Sequence, residues 1–214
     1  MGGAFGVAGN ISPDAEFNVF MDPESYRDVL AAVDVTFLPL DVTSTLRVTA
    51  DHLDRLTEFA EAGALAVGSA MVEAEEEAEE EGAVVARMDA AGLVQFVRGL
   101  WAFTVKQTLN FKQSEGQRIM LLHDAAAVGY ALYPGLFLLR RAAVAVDCSV
   151  SAPAADAGAG AVAPSTRGRT SFDRRLTVSG GTNALVAATA DADGVLAAMV
   201  EDLQTLAEAL AATH

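Results

Sequence analysis

Two short stretches of the chain hold residue types that can do chemistry. His123 and Asp124 are adjacent and precede an alanine-rich helical run. Such a pair can divide labour: the aspartate binds a hard cation, and the histidine gives up a proton near neutral pH. At the start of a helix, the same aspartate can also be no more than a cap or a first-turn charge. The second stretch runs from Gly9-Asn10 to Glu16-Phe17-Asn18. Two amides and a carboxylate on one loop offer both donors and acceptors. That suits the hydroxyl groups of a sugar, which need paired polar partners once water is excluded. Asparagine also favours turns in its own right, so turn chemistry is the competing account of these residues.

Searches for other catalytic patterns are negative. The chain has no G-x-x-x-x-G-K, no nucleophile elbow and no H-E-x-x-H. Gly2-Gly3-x-x-Gly6-x-x-Gly9 is glycine-rich, but no strand precedes it, so a dinucleotide site is not indicated. Cys148 falls in a predicted strand and reads as an inert core thiol.

The elements that must position these residues can be read from periodicity. Residues 1–20 read as a loop with strand fragments. Asp22-Pro23-Glu24 opens a helix over 23–33, with Asp22 as N-cap, proline at the first helical position and glutamate at the positive end. A β-branched run predicts a buried strand over 35–40. Helices are predicted over 50–60, capped by Thr49, and over 93–106, where Trp101 reads as core. Another helix spans 124–133 and stops at Pro134-Gly135. Strands follow over 142–150, 168–173 and 184–190, and an amphipathic helix spans 194–210. Strands alternating with helices predict an α/β layered fold with a mostly parallel sheet flanked by helices, in one domain over 1–214. Residues 73–81 hold seven glutamates in nine and read as a solvated acidic insertion. Residues 151–165 are mainly alanine, glycine, proline and serine with one aspartate and read as a flexible loop.

Composition narrows the function classes. The chain has 214 residues, 52% of them hydrophobic, which is enough for a sizeable core. Its net charge of −15 disfavours a nucleic-acid backbone or an anionic membrane surface as partner. A single cysteine excludes an intramolecular disulfide and predicts a reducing, cytoplasmic setting.

Six segments occur in a fixed order: Met1-Gly2-Gly3-Ala4; Gly9-Asn10; Ala15-Glu16-Phe17-Asn18 with Asp22-Pro23-Glu24; Pro39-Leu40-Asp41-Val42-Thr43; His123-Asp124-Ala125; and Thr166-Arg167-Gly168-Arg169-Thr170. This ordered set resembles the inosine-uridine preferring nucleoside hydrolase family over nearly the whole chain. The resemblance implies hydrolysis of the N-glycosidic bond of a nucleoside to ribose and free base. By that likeness Asn10, Glu16 and Asn18 hold ribose hydroxyls, Met1 and Phe17 line the sugar pocket, Asp124 is one Ca²⁺ ligand and His123 is the acid for the leaving base. It also implies a nucleoside as small-molecule partner and a homo-oligomer for full-length members.

One feature of the family is missing. Its members open with a strand ending in D-x-D-x-x-x-D-D, which supplies most Ca²⁺ ligands and the water-activating base. Asp191-x-Asp193 follows a C-terminal strand and lacks the later pair, so it is not that motif. The sequence therefore resembles the C-terminal half of a nucleoside hydrolase, and an uncovered sheet edge with self-association is expected of it. The alternative is a non-catalytic paralogue or inactive fragment that keeps the ribose-binding loop. A mis-started hydrolase predicts D-x-D-x-x-x-D-D encoded upstream of Met1. Translating the upstream DNA in all frames checks this, and a long upstream region without the motif favours the paralogue.

Overall fold

A computed structural model of the chain describes residues 1–64, 90–108, 117–149, 166–173 and 181–211. The acidic run at 73–81 and the loop at 151–165 lie outside the described residues. The opening loop runs into α1 (Phe17–Met21), and α2 (Pro23–Ala32) follows directly. Asp22 caps α2 as expected, accepting from the Ser25 N–H at 3.0 Å and the Ser25 hydroxyl at 2.6 Å. The run predicted as one strand over 35–40 is two elements, β1 (Val35–Phe37) and α3 (Leu40–Thr43). Pro39 divides them: it has no N–H for a ladder, and its carbonyl instead accepts from the Val42 and Thr43 amides of α3.

Next come β2 (Arg47–Val48) and α4 (Ala50–Ala64). Thr49 stands before α4, where the His52 ring nitrogen Nδ1 reaches back to accept from its amide at 3.2 Å and lies 2.9 Å from its hydroxyl. α5 (Ala90–Thr108), β3 (Met120–Leu121) and α6 (Ala125–Leu132) follow, and a 3-10 turn over Pro134–Leu136 ends the last helix where the proline predicts. β4 (Phe137–Val146) starts five residues before the predicted strand. Its adjacent Arg140 and Arg141 hide the apolar alternation in the sequence. It also ends at Val146, so Cys148 lies beyond the strand and is half-buried rather than a core thiol. β5 (Thr170–Asp173), β6 (Ala184–Ala190) and α7 (Ala192–Ala211) complete the chain.

Two compact units result: Met1–Arg47 with Leu121–Val195, and Val48–Met120 with Leu196–His214. The first is an α/β layer with a sheet in the order β1-β6-β4-β5. β1 and β6 run parallel, and β4 runs antiparallel to both β6 and β5. Leu30 of α2 packs on this sheet against Phe37, Ala142, Val144, Ala184 and Val186. Phe5, from the opening loop, sets its ring edge-on to Phe37 at 5.9 Å and Phe172 at 4.8 Å, so the loop is anchored in the same core. The second unit is helical. Leu53 and Leu56 of α4 are buried, as are Leu93, Val94 and Val105 of α5 and Val200 and Ala207 of α7. Trp101 is half-buried and donates its indole N–H to the Val48 carbonyl at 3.4 Å.

The Arg167-Gly168-Arg169-Thr170 turn lies directly on α1. Gly168 has φ +76°, and a Cβ there would stand 2.5 Å from the Phe20 Cα. A backbone atom cannot swing aside as a side chain does. Gly168→Ala is therefore expected to destabilise the fold by about 1–3 kcal/mol. Gly135→Ala, where a Cβ meets nothing within 4 Å, is the control and should fall within about 0.5 kcal/mol of the parent in urea melts.

Candidate active site

Glu16 stands in extended backbone immediately before α1, and its side chain is 1% exposed. Its carboxylate accepts from the Asn18 amide at 2.8 Å, the Val19 amide at 3.2 Å and the Gly3 amide at 3.1 Å. Charge-assisted bonds of this kind are what keep a carboxylate tolerable away from water. They fill three of its roughly four lone-pair sites, leaving one for a ligand.

The other loop residues singled out by sequence gather around it. The Asn10 side-chain oxygen accepts from the Phe17 amide at 2.8 Å, so Asn10 has its NH₂ to offer a ligand. The Asn18 NH₂ donates to the Met1 sulfur at 3.5 Å, which leaves the Asn18 carbonyl oxygen as an acceptor. The Phe17 ring is 48% exposed. Turn chemistry is present as well: the Asn10, Ile11 and Ser12 amides all point at the Ala15 carbonyl. Gly9 is required there, because a Cβ would lie 2.1 Å from that oxygen.

Three residues that the sequence placed in motifs without roles hold this loop and the turn beside it in position. Asp41 accepts from the Phe5 amide at 2.9 Å and the Gly6 amide at 2.6 Å. The Thr170 hydroxyl accepts from the Ala4 amide at 3.0 Å and donates to the Ala4 carbonyl at 2.9 Å. Arg167 forks onto Glu24 with bonds of 2.6 and 2.8 Å, tying the Arg167–Thr170 turn to α2. Tyr26 had no motif signal beyond helical spacing, yet its hydroxyl donates to the Met1 carbonyl at 3.4 Å. Burial raises the Tyr26 phenol above its usual range, and the Glu16 and Asp124 carboxylates add to the shift.

His123 is half-buried, with Nδ1 2.8 Å from the Thr43 hydroxyl. Burial pulls the imidazole below its ordinary range, while the Asp124 and Glu16 carboxylates pull it up. Both carboxylates act on both His123 and Tyr26, which brings the loop cluster and the His123-Asp124 pair into one electrostatic neighbourhood. Asp124 occupies the cap position of α6 in helical backbone, but its side chain makes no capping bond and is exposed. Among the described residues no three His, Cys, Asp or Glu side chains cluster as a metal-ligand set. Asp124 alone does not fit a hard cation, which takes six to eight oxygens. Among the described residues, no helix is long and apolar enough to cross a membrane.

The family model for inosine-uridine preferring nucleoside hydrolases matches residues 1–197. The chain belongs to the inosine-uridine preferring nucleoside hydrolase family. The putative pyrimidine-specific ribonucleoside hydrolase RihB of Shigella boydii is 30% identical over 151 residues, which are 69% of this chain and 47% of that protein. In fold, the chain matches a plant nucleoside hydrolase, PpNRh1, with TM-score 0.65 at 21% identity, covering 95% of this chain and 52% of that one. It matches a purine-preferring ribonucleoside hydrolase from Gardnerella vaginalis with TM-score 0.66 at 21% identity, covering 97% and 51%. The chain thus spans about half the length of these nucleoside hydrolases.

The Glu24–Arg167 fork makes a pH-dependent contribution. Hydrogen bonding from Arg167 lowers the Glu24 carboxyl from its ordinary value of 4.5 to about 2. A depressed carboxylate contributes stability that is complete above the unfolded-state value and is lost as pH falls towards the folded-state one. The parent chain should therefore lose stability between about pH 4.5 and 2, and Glu24→Gln should show a shallower loss over that window in thermal melts at stepped pH.

Proposed function

We propose that this chain carries the ribose-holding and leaving-base side of a ribonucleoside N-glycosidic hydrolase. The observation that carries the reading is the buried Glu16 carboxylate, flanked by Asn10 and Asn18 and within the electrostatic reach of His123. A ribose diol both donates and accepts. The Asn10 NH₂ supplies donors, while the Asn18 oxygen and the remaining Glu16 lone pair supply acceptors. Met1 and the exposed Phe17 ring give the apolar wall that a sugar face needs.

The reaction breaks the bond from the anomeric carbon to the base nitrogen. The electron pair leaves with the base, and positive charge grows on the sugar ring. Glu16 is fixed in advance by three amides, so its negative charge needs no reorganisation as that charge develops. His123 gives the departing base nitrogen a hydrogen-bond donor and then a proton. A water oxygen bonds to the anomeric carbon, and the proton that water releases replaces the one the ring gave up, so ribose and free base are the products. The family resemblance implies Ca²⁺ with Asp124 as one ligand; Asp124 alone among the described residues does not make up such a site, so no step of this reading runs through the ion. A nucleoside is the partner in this reading, the cytoplasm the compartment and a homo-oligomer the assembly.

The test uses purified residues 1–214. Calorimetry with Ca²⁺ should show no binding heat and no rise in melting temperature, and inosine and uridine should not be cleaved. Saturation-transfer NMR should show weak contact with the ribose protons of inosine, lost in Asn10→Ala and Asn18→Ala. Turnover that disappears in His123→Ala and Asp124→Ala would reveal a complete site and sink the half-site reading. Absence of ribose contact in the parent chain would sink the ribose reading.

A further inference from the structure

Thr43 is 0% exposed, so its hydroxyl proton needs an acceptor inside the protein. A helical threonine often donates back to the carbonyl four residues earlier. Here that carbonyl belongs to Pro39, and both of its lone pairs are taken, by the Val42 amide at 3.0 Å and the Thr43 amide at 2.9 Å. Among the described residues, the hydrogen-bond partner of the Thr43 hydroxyl is His123 Nδ1, at 2.8 Å. A proton on Nδ1 would turn this contact round and leave the hydroxyl proton buried without an acceptor. An orphaned buried donor is costly, so the arrangement is biased one way.

We propose that Thr43 is a positioning residue that holds His123 as the Nε2–H tautomer by donating its hydroxyl to Nδ1. The inference rests on the reading of His123 as the group that serves the leaving base. In this tautomer the neutral ring already carries a proton on the nitrogen facing away from Thr43. It can donate a hydrogen bond from there without first exchanging tautomers. A doubly protonated ring would turn the contact round at the same cost, since the hydroxyl proton would again lack an acceptor. A carbonyl or carboxylate in the place of Thr43 would instead hold the proton on Nδ1.

His52 provides an internal standard. Its Nδ1 accepts from the Thr49 backbone amide at 3.2 Å, and a backbone N–H can only donate. The neutral His52 ring is therefore Nε2–H. The experiment is a two-bond proton–nitrogen correlation spectrum of the full 214-residue chain with ¹⁵N-labelled histidine, at a pH where the rings are neutral, with the signals assigned through His123→Gln. The expected result is that His123 shows the same single-tautomer pattern as His52. Thr43→Val keeps the shape but removes the donor, and should give a mixed-tautomer pattern at His123 with the His52 pattern unchanged. Thr43→Ser should restore the single tautomer. A proton on Nδ1 in the parent chain overturns the proposal, as does a Thr43→Val spectrum with His123 unchanged. If Thr43→Val fails to fold, which loss of the His52 pattern reports, the parent and Thr43→Ser spectra still decide. No substrate is present, so this outcome is separate from the ribose-contact test of the hydrolase reading.

Discussion

The Glu16 carboxylate is an ion held at 1% exposure, and the rest of the site is arranged around making that tolerable. Two of its three donors, the Asn18 and Val19 amides, are first-turn groups of α1 that the helix itself leaves unpaired. The third, Gly3, comes from the opening loop. One side chain thus satisfies a helix end and fastens a glycine-rich loop to it. The same bonds fix the charge in place, which is what the proposed sugar contact uses. An acid chosen only for ribose contact could have stood at the surface. This one is placed so that fold and site need each other.

The clamps on the loop share a design. Asp41 reaches two consecutive amides, Thr170 completes both backbone groups of Ala4, and Arg167 forks onto Glu24. Each makes two bonds, which fixes orientation as well as distance. Phe5 adds an apolar anchor between Phe37 and Phe172. A loop with little regular structure is thereby tied to the sheet and to α3 through side-chain bonds and one apolar anchor. Gly9 and Gly168 are the points where backbone approaches backbone too closely for any side chain.

The chain belongs to the nucleoside hydrolase family and spans about half the length of the relatives it matches. In the proposed reading, sugar contacts and a leaving-base donor come from the described residues. A hard cation needs several converging carboxylates, and among the described residues the candidate ligand is the single Asp124. Asp124 makes no capping bond to its own helix, so its side chain is not committed locally.

Local signals were legible in the sequence wherever the cause is local. Asp22-Pro23-Glu24 set the start of α2, Pro134-Gly135 ended α6, and the apolar run at 184–190 is β6 residue for residue. The order of short motifs was enough to indicate the family. The strand at 35–40 broke because Pro39 forms a turn with residues beyond it, and β4 began early because pairing with β6 outweighed the paired arginines. Side-chain partners were beyond reach of sequence. Thr170 meets Ala4 across 166 residues, and Thr43 meets His123 across 80. Residue type told which groups can donate or accept. Only the tertiary fold decided which lone pairs are already spent, because that depends on backbone amides brought together from distant parts of the chain.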